Sequence, residues 1–159
     1  MTEQTTRTLE QRVAEIEDRL AIYQVIAAYG PAVDSLNLEA NDALWTDDCE
    51  YELDSGTRVG HAGLRDLLQT PFHQGVVTQG CAHVSSLPYV HLDGEDAYAT
   101  NYHQLITHTD GQFKILRLTA CRWHLQRIGG AWKIRKRTNM LLDGTESARR
   151  ILRRAGTDP

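Results

Sequence analysis

The chain has 159 residues, a formal net charge of −4, and 41% hydrophobic against 24% charged residues. That length suits one domain with a real core, and the negative balance gives a nucleic-acid partner no electrostatic support. No apolar run approaches the ~20 residues that a membrane helix needs.

The opening MTEQTTRTLEQ lacks the apolar h-region of a signal peptide, so a cytoplasmic location is the expectation. Leu9, Val13, Ile16, Leu20, Tyr23 and Ala27 then recur at helical steps. They predict a helix to about Tyr29, capped by Thr6 or Thr8. Continued, the same steps reach Gly30 and Asp34, which puts a carboxylate where the stripe demands a core residue. A buried carboxylate is costly unless it is paired. Pro31 has no N–H and predicts a kink or a restart. A short second helix is expected from Leu38 to Trp45.

CEYEL, Cys49 to Leu53, alternates as a strand does, and SGT turns it into a short partner at Arg58–Val59. Leu64, Leu67 and Leu68 predict a helix over His61 to Gln69. The pattern then changes to period two. AHVSSLPYVHL reads as a strand broken near Pro88, and Asp93–Asp96 as a turn. Ala97 to His108 is a strand, Asp110–Gly111 a turn, and Phe113 to Ile128 a long strand. Gly129–Gly130 is a hairpin turn before the last strand, Ala131 to Leu141. The first seven or so residues and the last fifteen or so, with helix-forming, basic composition, are expected to be peripheral. The whole is read as one α+β domain over residues 1–159. A strongly curved antiparallel sheet wrapped around the N-terminal helices would make a cone with one open mouth.

Seven histidines are candidates for chemistry. His61, His73 and His108 fall near turns or helix ends and are expected to be solvated. His83 opens a strand, and His103 shares a strand face with Asn101, Leu105 and Thr107. Both faces of that strand are mixed, so alternation alone leaves the inward face open. Any single histidine is more often structural than catalytic. Arg122 and His124 share a face with Leu116, Leu118 and Ala120 and suit a pocket or a polar seam between subunits. Cys49, Cys81 and Cys121 show neither metal-ligand spacing nor a disulfide framework. No His-x-x-x-His, phosphate loop or nucleophile elbow is present. What remains is acid–base work by His, Asp and Tyr, with no cofactor and no metal. Leu44, Trp45, Leu64, Leu67, Phe72, Leu87, Leu118 and Trp123 are expected to line a pocket for a bulky hydrophobic small molecule, such as a polycyclic compound. The mixed faces of Leu116 to Arg127 point to a homo-oligomer.

The long first helix, YGPAVDSLN, LWTDDCEYEL, CAHVSS and RIGGAWKIRKRTN together resemble the SnoaL-like branch of the nuclear transport factor 2-like superfamily. The resemblance runs from about Leu9 to Leu142. That branch includes scytalone dehydratase, bile-acid 7α-dehydratase and hexachlorocyclohexane dehydrochlorinase. It implies a cone-shaped α+β barrel, a cofactor-free lyase and a trimer in preference to a dimer. It also implies that Asp34 orients His83, which removes a proton from carbon. Tyr29 matches a tyrosine of the bile-acid enzyme where the dehydrochlorinase has a lysine, which favours a dehydratase-like site. His103 resembles a second histidine of the scytalone enzyme, and Tyr51 one of its tyrosines. Arg137 matches an arginine of the dehydrochlorinase. Tyr51, Arg137, Asn139, Trp45, Leu118 and Trp123 are the expected substrate contacts. Two departures stand against the pattern. The bile-acid enzyme's further acidic residue has no counterpart in HQLITH. Plain alternation also sends Arg137 outward with Lys133 and Arg135 unless a bulge intervenes. An isomerase, a polyketide cyclase and a non-catalytic binding or adaptor module remain open alternatives.

Overall fold

The computed structural model describes residues 7–155. The alternative cap at Thr6 and the rest of the first six residues lie outside them. Helix α1 spans Leu9–Asp34 and opens on a reciprocal cap. The Thr8 side chain accepts from the Gln11 N–H at 3.2 Å, and the Gln11 side chain accepts from the Thr8 N–H at 2.9 Å. Pro31 does not interrupt the helix. Only one turn follows it, so a single backbone bond is lost. Ser35 closes that turn by donating to the Pro31 carbonyl at 2.6 Å. The buried side chains of Ala32 and Val33 hold the turn against the core.

The expected apolar stripe is displaced. Leu9, Val13, Ile16 and Leu20 are exposed, and the buried face runs through Ile22, Ile26, Tyr29, Gly30 and Val33. Asp34 borders this face as the last helical residue and is half-buried.

Helix α2 is Leu38–Ala43, capped by Asn37, and ends before Trp45. Trp45 instead opens strand β1, Trp45–Leu53, which turns into β2, Gly56–Val59. Helix α3, Gly60–Leu68, buries Leu64 and Leu68. Helix α4, Pro71–Gln79, has no counterpart among the expected elements. Its apolar periodicity is weak, yet its start signals are local: Thr70 accepts from the His73 N–H, and Pro71 occupies the first helical position.

Strands β3, Cys81–Ser85, and β4, Tyr89–Asp93, flank the expected break at Pro88. They pair side by side along one edge of β5, Asp96–Thr109. Strand β6, Gln112–Ile128, and β7, Ala131–Leu141, complete a seven-stranded sheet in the order β2-β1-β7-β6-β5-β3. Only β1 and β7 pair in parallel. The sheet curves around α1. Its inner face presents Trp45, Tyr51, His103, Trp123, Ile134 and Arg137, all buried. The tail is less peripheral than its composition suggested. It forms α5, Glu146–Arg153, which seats Ala148 and Ile151 on Ala120 at the outer face.

A bulge decides the fate of Arg137. His124 pairs with Lys136 but Leu125 with Ile134, so Arg135 is an extra residue on β7. The alternation is thereby reversed, and Arg137 and Asn139 turn inward with Trp132 and Ile134.

Candidate active site

Three elements meet where α1 ends. α1 delivers Tyr29 and Asp34, β3 delivers Cys81, His83 and Ser85 on one face, and α4 delivers His73. The approach of α1 to β3 depends on Gly30. A Cβ there would drive into the His83 carbonyl oxygen, which is backbone and cannot step aside. Gly30→Ala is therefore expected to cost about 1–3 kcal/mol by overpacking and to disable the site with it. Denaturation of this variant checks the cost, and an unchanged midpoint would contradict the close packing.

Asp34 gives both carboxyl oxygens to His83. Oδ2 accepts from the His83 backbone N–H at 2.7 Å, and Oδ1 from ring Nδ1–H at 2.5 Å. The Cys81 thiol also donates to Oδ1, at 3.2 Å. Burial pushes the Asp34 carboxyl up, but these donors together outweigh it and hold the group below the ordinary carboxylate value. With Nδ1 protonated, the His83 Nε2 lone pair is free, and it has no hydrogen-bond partner among the described residues. The side chains of His83 and Asp34 remain 12% and 21% exposed, so solvent reaches the pair.

Around this pair the rings are close-set. The centroid of His103 lies 5.6 Å from that of His83, and that of His73 lies 5.8 Å away. Tyr29 sits edge-on to both His83 and His103. His103 Nδ1 meets the Ser85 hydroxyl at 3.0 Å. Burial first, and then the Arg137 charge, drive the His103 imidazole far below its ordinary value, so it stays neutral. Burial also keeps the Tyr29 phenol protonated and shifts it upward. His73, expected in solvent, is buried, with Nε2 donating to the Val33 carbonyl at 3.2 Å. Burial lowers its value too. Because α4 was not foreseen, neither was a buried histidine on it.

Two neutral buried histidines make stability depend on pH. An unfolded histidine takes up a proton below about pH 6.5, while His73 and His103 resist it in the fold. Stability is then level above that pH and falls below it, by up to about 1.4 kcal/mol per pH unit for each group. Urea midpoints from pH 7 to 5 should show this slope, and His73→Gln with His103→Gln should flatten it. A flat wild-type profile would refute it.

Arg137 is the most buried charged group among the described residues. It is fully buried, and its guanidinium carbon lies 4.2 Å from the ring centre of Tyr29, 4.3 Å from Trp123 and 4.9 Å from Tyr51. Nη2 reaches the Cys121 sulfur at 3.4 Å, while Nε and Nη1 have no partner. No carboxylate among the described residues pairs with it. Asn139 donates to the Tyr51 hydroxyl and accepts from the Cys121 thiol, which fixes the floor beneath the cage.

The expected pocket wall divides. Trp45 and Trp123 are fully buried core, and Leu118 faces outward from β6, as do its cross-strand neighbours. Phe72 and Leu87 are exposed. The void between Tyr29, Trp45, Tyr51 and Leu64 measures only about 10 Å³. Arg137 and the tryptophans fill the cone where a large apolar cavity was expected. Asp34, Cys81 and His83 also bring three potential metal-ligand atoms within 4.8 Å of one another. Burial and then Asp34 push the Cys81 thiol up to about 12.

The model of the SnoaL-like domain matches residues 14–138. The chain belongs to the SnoaL-like domain family. Among solved structures, this SnoaL-like chain is similar to an NTF2-like protein with a cystatin-like fold from Novosphingobium aromaticivorans. Identity is 33% over 95% of this chain and 99% of that one, with a TM-score of 0.88. It shares its fold with Rv3472 from Mycobacterium tuberculosis, at 20% identity over 97% and 98% of the chains and a TM-score of 0.74. It likewise shares it with the LinA-type3 hexachlorocyclohexane dehydrochlorinase from Novosphingobium barchaimii. There identity is 16% over 82% of this chain and 90% of that one, and the TM-score is 0.71. No curated protein matches the chain. Among the described residues no helix is long and apolar enough to cross a membrane.

Proposed function

We propose that this SnoaL-like domain removes a proton from carbon without a cofactor, with His83 as general base and Asp34 as its orienting partner. The observation that carries the reading is the double hold of Asp34 on His83, through ring and backbone at once. It fixes the tautomer that leaves Nε2 free as a base and stabilises the imidazolium that forms. The reaction best suited to these parts is loss of water from a hydrophobic substrate. The carbon's proton passes to His83 Nε2, the C–H electron pair becomes the new C=C bond, and the hydroxyl leaves as water with the proton handed on by the His83 imidazolium. Arg137 supplies positive potential for the negative charge that develops, and Tyr29 supplies a phenolic donor. His103, held neutral, serves as a hydrogen-bond partner to the leaving oxygen rather than as a charged acid. Isomerisation and ring closure begin with the same proton removal. Substrate binds at the mouth beside His83, and α4, which buries only His73, is the element that yields to admit it.

The test is deuterium incorporation. Hydrophobic ketones incubated with the protein in D₂O should gain α-deuterium by mass spectrometry, and His83→Ala should prevent it. Absence of exchange across a panel of activated ketones would count against a carbon base.

The site is proposed to work within a homo-oligomer, a trimer before a dimer. Val84, Tyr102, Phe113, Ile115 and Leu118 stand between 38% and 78% exposed on the outer face of β3, β5 and β6. So many large apolar groups in one area exceed the scattered few of a monomer's surface, and a second copy of the chain is the proposed cover. Light scattering should return a multiple of 17.9 kDa. A monomer mass at working concentration would refute it, and Leu118→Glu should shift the protein towards monomer.

A further inference from the structure

We propose that the outer face of the sheet carries a second ligand site, for a small organic molecule with a phosphate or carboxylate headgroup, between strands β5 to β7 and helix α5. The sheet separates it from the dyad. Arg122 and His124 alternate with Cys121, Trp123 and Leu125, which face the core, so both point outward. There the fold leaves a cavity of about 600 Å³, the size of sites that take drug-sized ligands. Four of its lining side chains are cationic, beside the hydroxyls of Tyr98, Thr138 and Ser147. Arg122 and Lys136 come from the sheet, and Arg150 and Arg154 from the C-terminal helix and its end. The one carboxylate in the lining, Glu52, is already shared between Lys136 at 3.2 Å and the Thr138 hydroxyl at 3.1 Å. Arg150 makes no ion pair among the described residues.

The cavity is built, not merely open. Arg122 is nine-tenths buried, and its Nη1 donates to Thr100 Oγ1 at 3.3 Å and to the Arg154 carbonyl at 2.7 Å. Its guanidinium lies 5.2 Å from the Tyr98 ring centre. Tyr98 in turn stacks on His124 at 4.9 Å and 16°, and His124 Nε2 is anchored by Asp96 at 2.6 Å. Guanidinium groups beside a planar aromatic wall recognise an oxyanion attached to a flat or apolar body. Tyr98, Met140 and Ile151 would take that body. A molecule so placed touches sheet and helix together and adds to the hold on α5 that Ala148, Ile151, Leu152 and the Arg122 bond to the Arg154 carbonyl provide.

Phenyl phosphate, benzoate and inorganic phosphate titrated calorimetrically into the full chain test this. We expect one site per chain for at least one of the two organic probes, weakened at least tenfold by Arg150→Glu and by raised salt. Binding should persist in His83→Ala, and α5 amides should exchange more slowly with the probe present. Comparison of phenyl phosphate with benzoate tells which headgroup is preferred, and inorganic phosphate tells whether the body contributes. The proposal is overturned if neither organic probe binds, if Arg150→Glu leaves affinity unchanged, or if His83→Ala abolishes binding. It is also overturned if a probe binds only after removal of residues 156–159.

Discussion

His83→Ala is expected to slow proton removal from carbon by ~10²–10⁴-fold, the usual worth of a positioned general base. The fold should survive, because His83 keeps some contact with solvent and is not a member of the buried apolar cluster. Asp34→Asn should cost nearly as much, for a reason specific to this geometry. Both Asp34 oxygens accept, one from the His83 backbone N–H and one from ring Nδ1–H. An asparagine has only one oxygen. The backbone N–H cannot change role, so it claims that oxygen. The amide NH₂ then faces Nδ1, and the ring proton must move to Nε2, which removes the free lone pair. The Asp34→Asn/His83→Ala double variant should be no slower than His83→Ala alone, as for members of one catalytic unit. Nitrogen NMR of the His83 ring reads the tautomer directly. An unchanged tautomer in Asp34→Asn, or independent multiplicative losses in the double variant, would overturn the dyad.

Arg137→Met is expected to stabilise the protein while impairing its chemistry. A buried cation without a carboxylate keeps most of its desolvation cost, which in real proteins amounts to several kcal/mol. Here Nε and Nη1 also lack acceptors, and unmade hydrogen bonds of buried donors cost about 1–3 kcal/mol. Contacts with three ring faces offset part of this, at about 2 kcal/mol or more where a cation is desolvated. Methionine fills most of the same volume and keeps favourable contacts with aromatic rings. Apolar replacement of buried ionic groups has gained about 1–4 kcal/mol elsewhere, and a gain within that range is expected in urea denaturation. Proton exchange should fall, since the positive potential for developing charge is lost. A variant that is both less stable and fully active would mean that Arg137 is held for packing alone.

The site was legible in parts, for local reasons. AHVSS read as a strand places His83 and Ser85 on one face, and the structure has them so and extends the strand to Cys81 on the same face, although only His83 was singled out. The serine and cysteine that touch His103 and Asp34 were open to the same argument. Gly30 was noticed as a step in a stripe, yet its importance lies in the strand that crosses it. That crossing joins residues far apart in sequence, so no local pattern reports it. His73 was misplaced because α4 has strong start signals but weak periodicity. Leu9, Val13, Ile16 and Leu20 show the opposite failure. Their spacing is helical and their apolar character real, but the helix overhangs the sheet there and has no face to bury them against.

By itself the amino-acid sequence determined what short-range chemistry can encode. That covers the three long C-terminal strands, the turns at Asp93–Asp96, Asp110–Gly111 and Gly129–Gly130, a threonine cap at Thr6 or Thr8, and the α+β order, but not the first strand, which starts at Trp45 and not at Cys49. Turn and cap preferences depend on backbone dihedrals and nearest neighbours, so a single chain carries them openly. The tertiary structure alone decided the rest. It carried α1 through Pro31 because one lost backbone bond is outweighed by the burial of Ala32 and Val33. It turned Arg137 inward, because an extra residue on β7 shifts pairing against β6, and a one-residue shift moves every later side chain to the other face. Such a bulge is set by the fit of two long strands to a curved sheet. That fit exists only once both strands are in place.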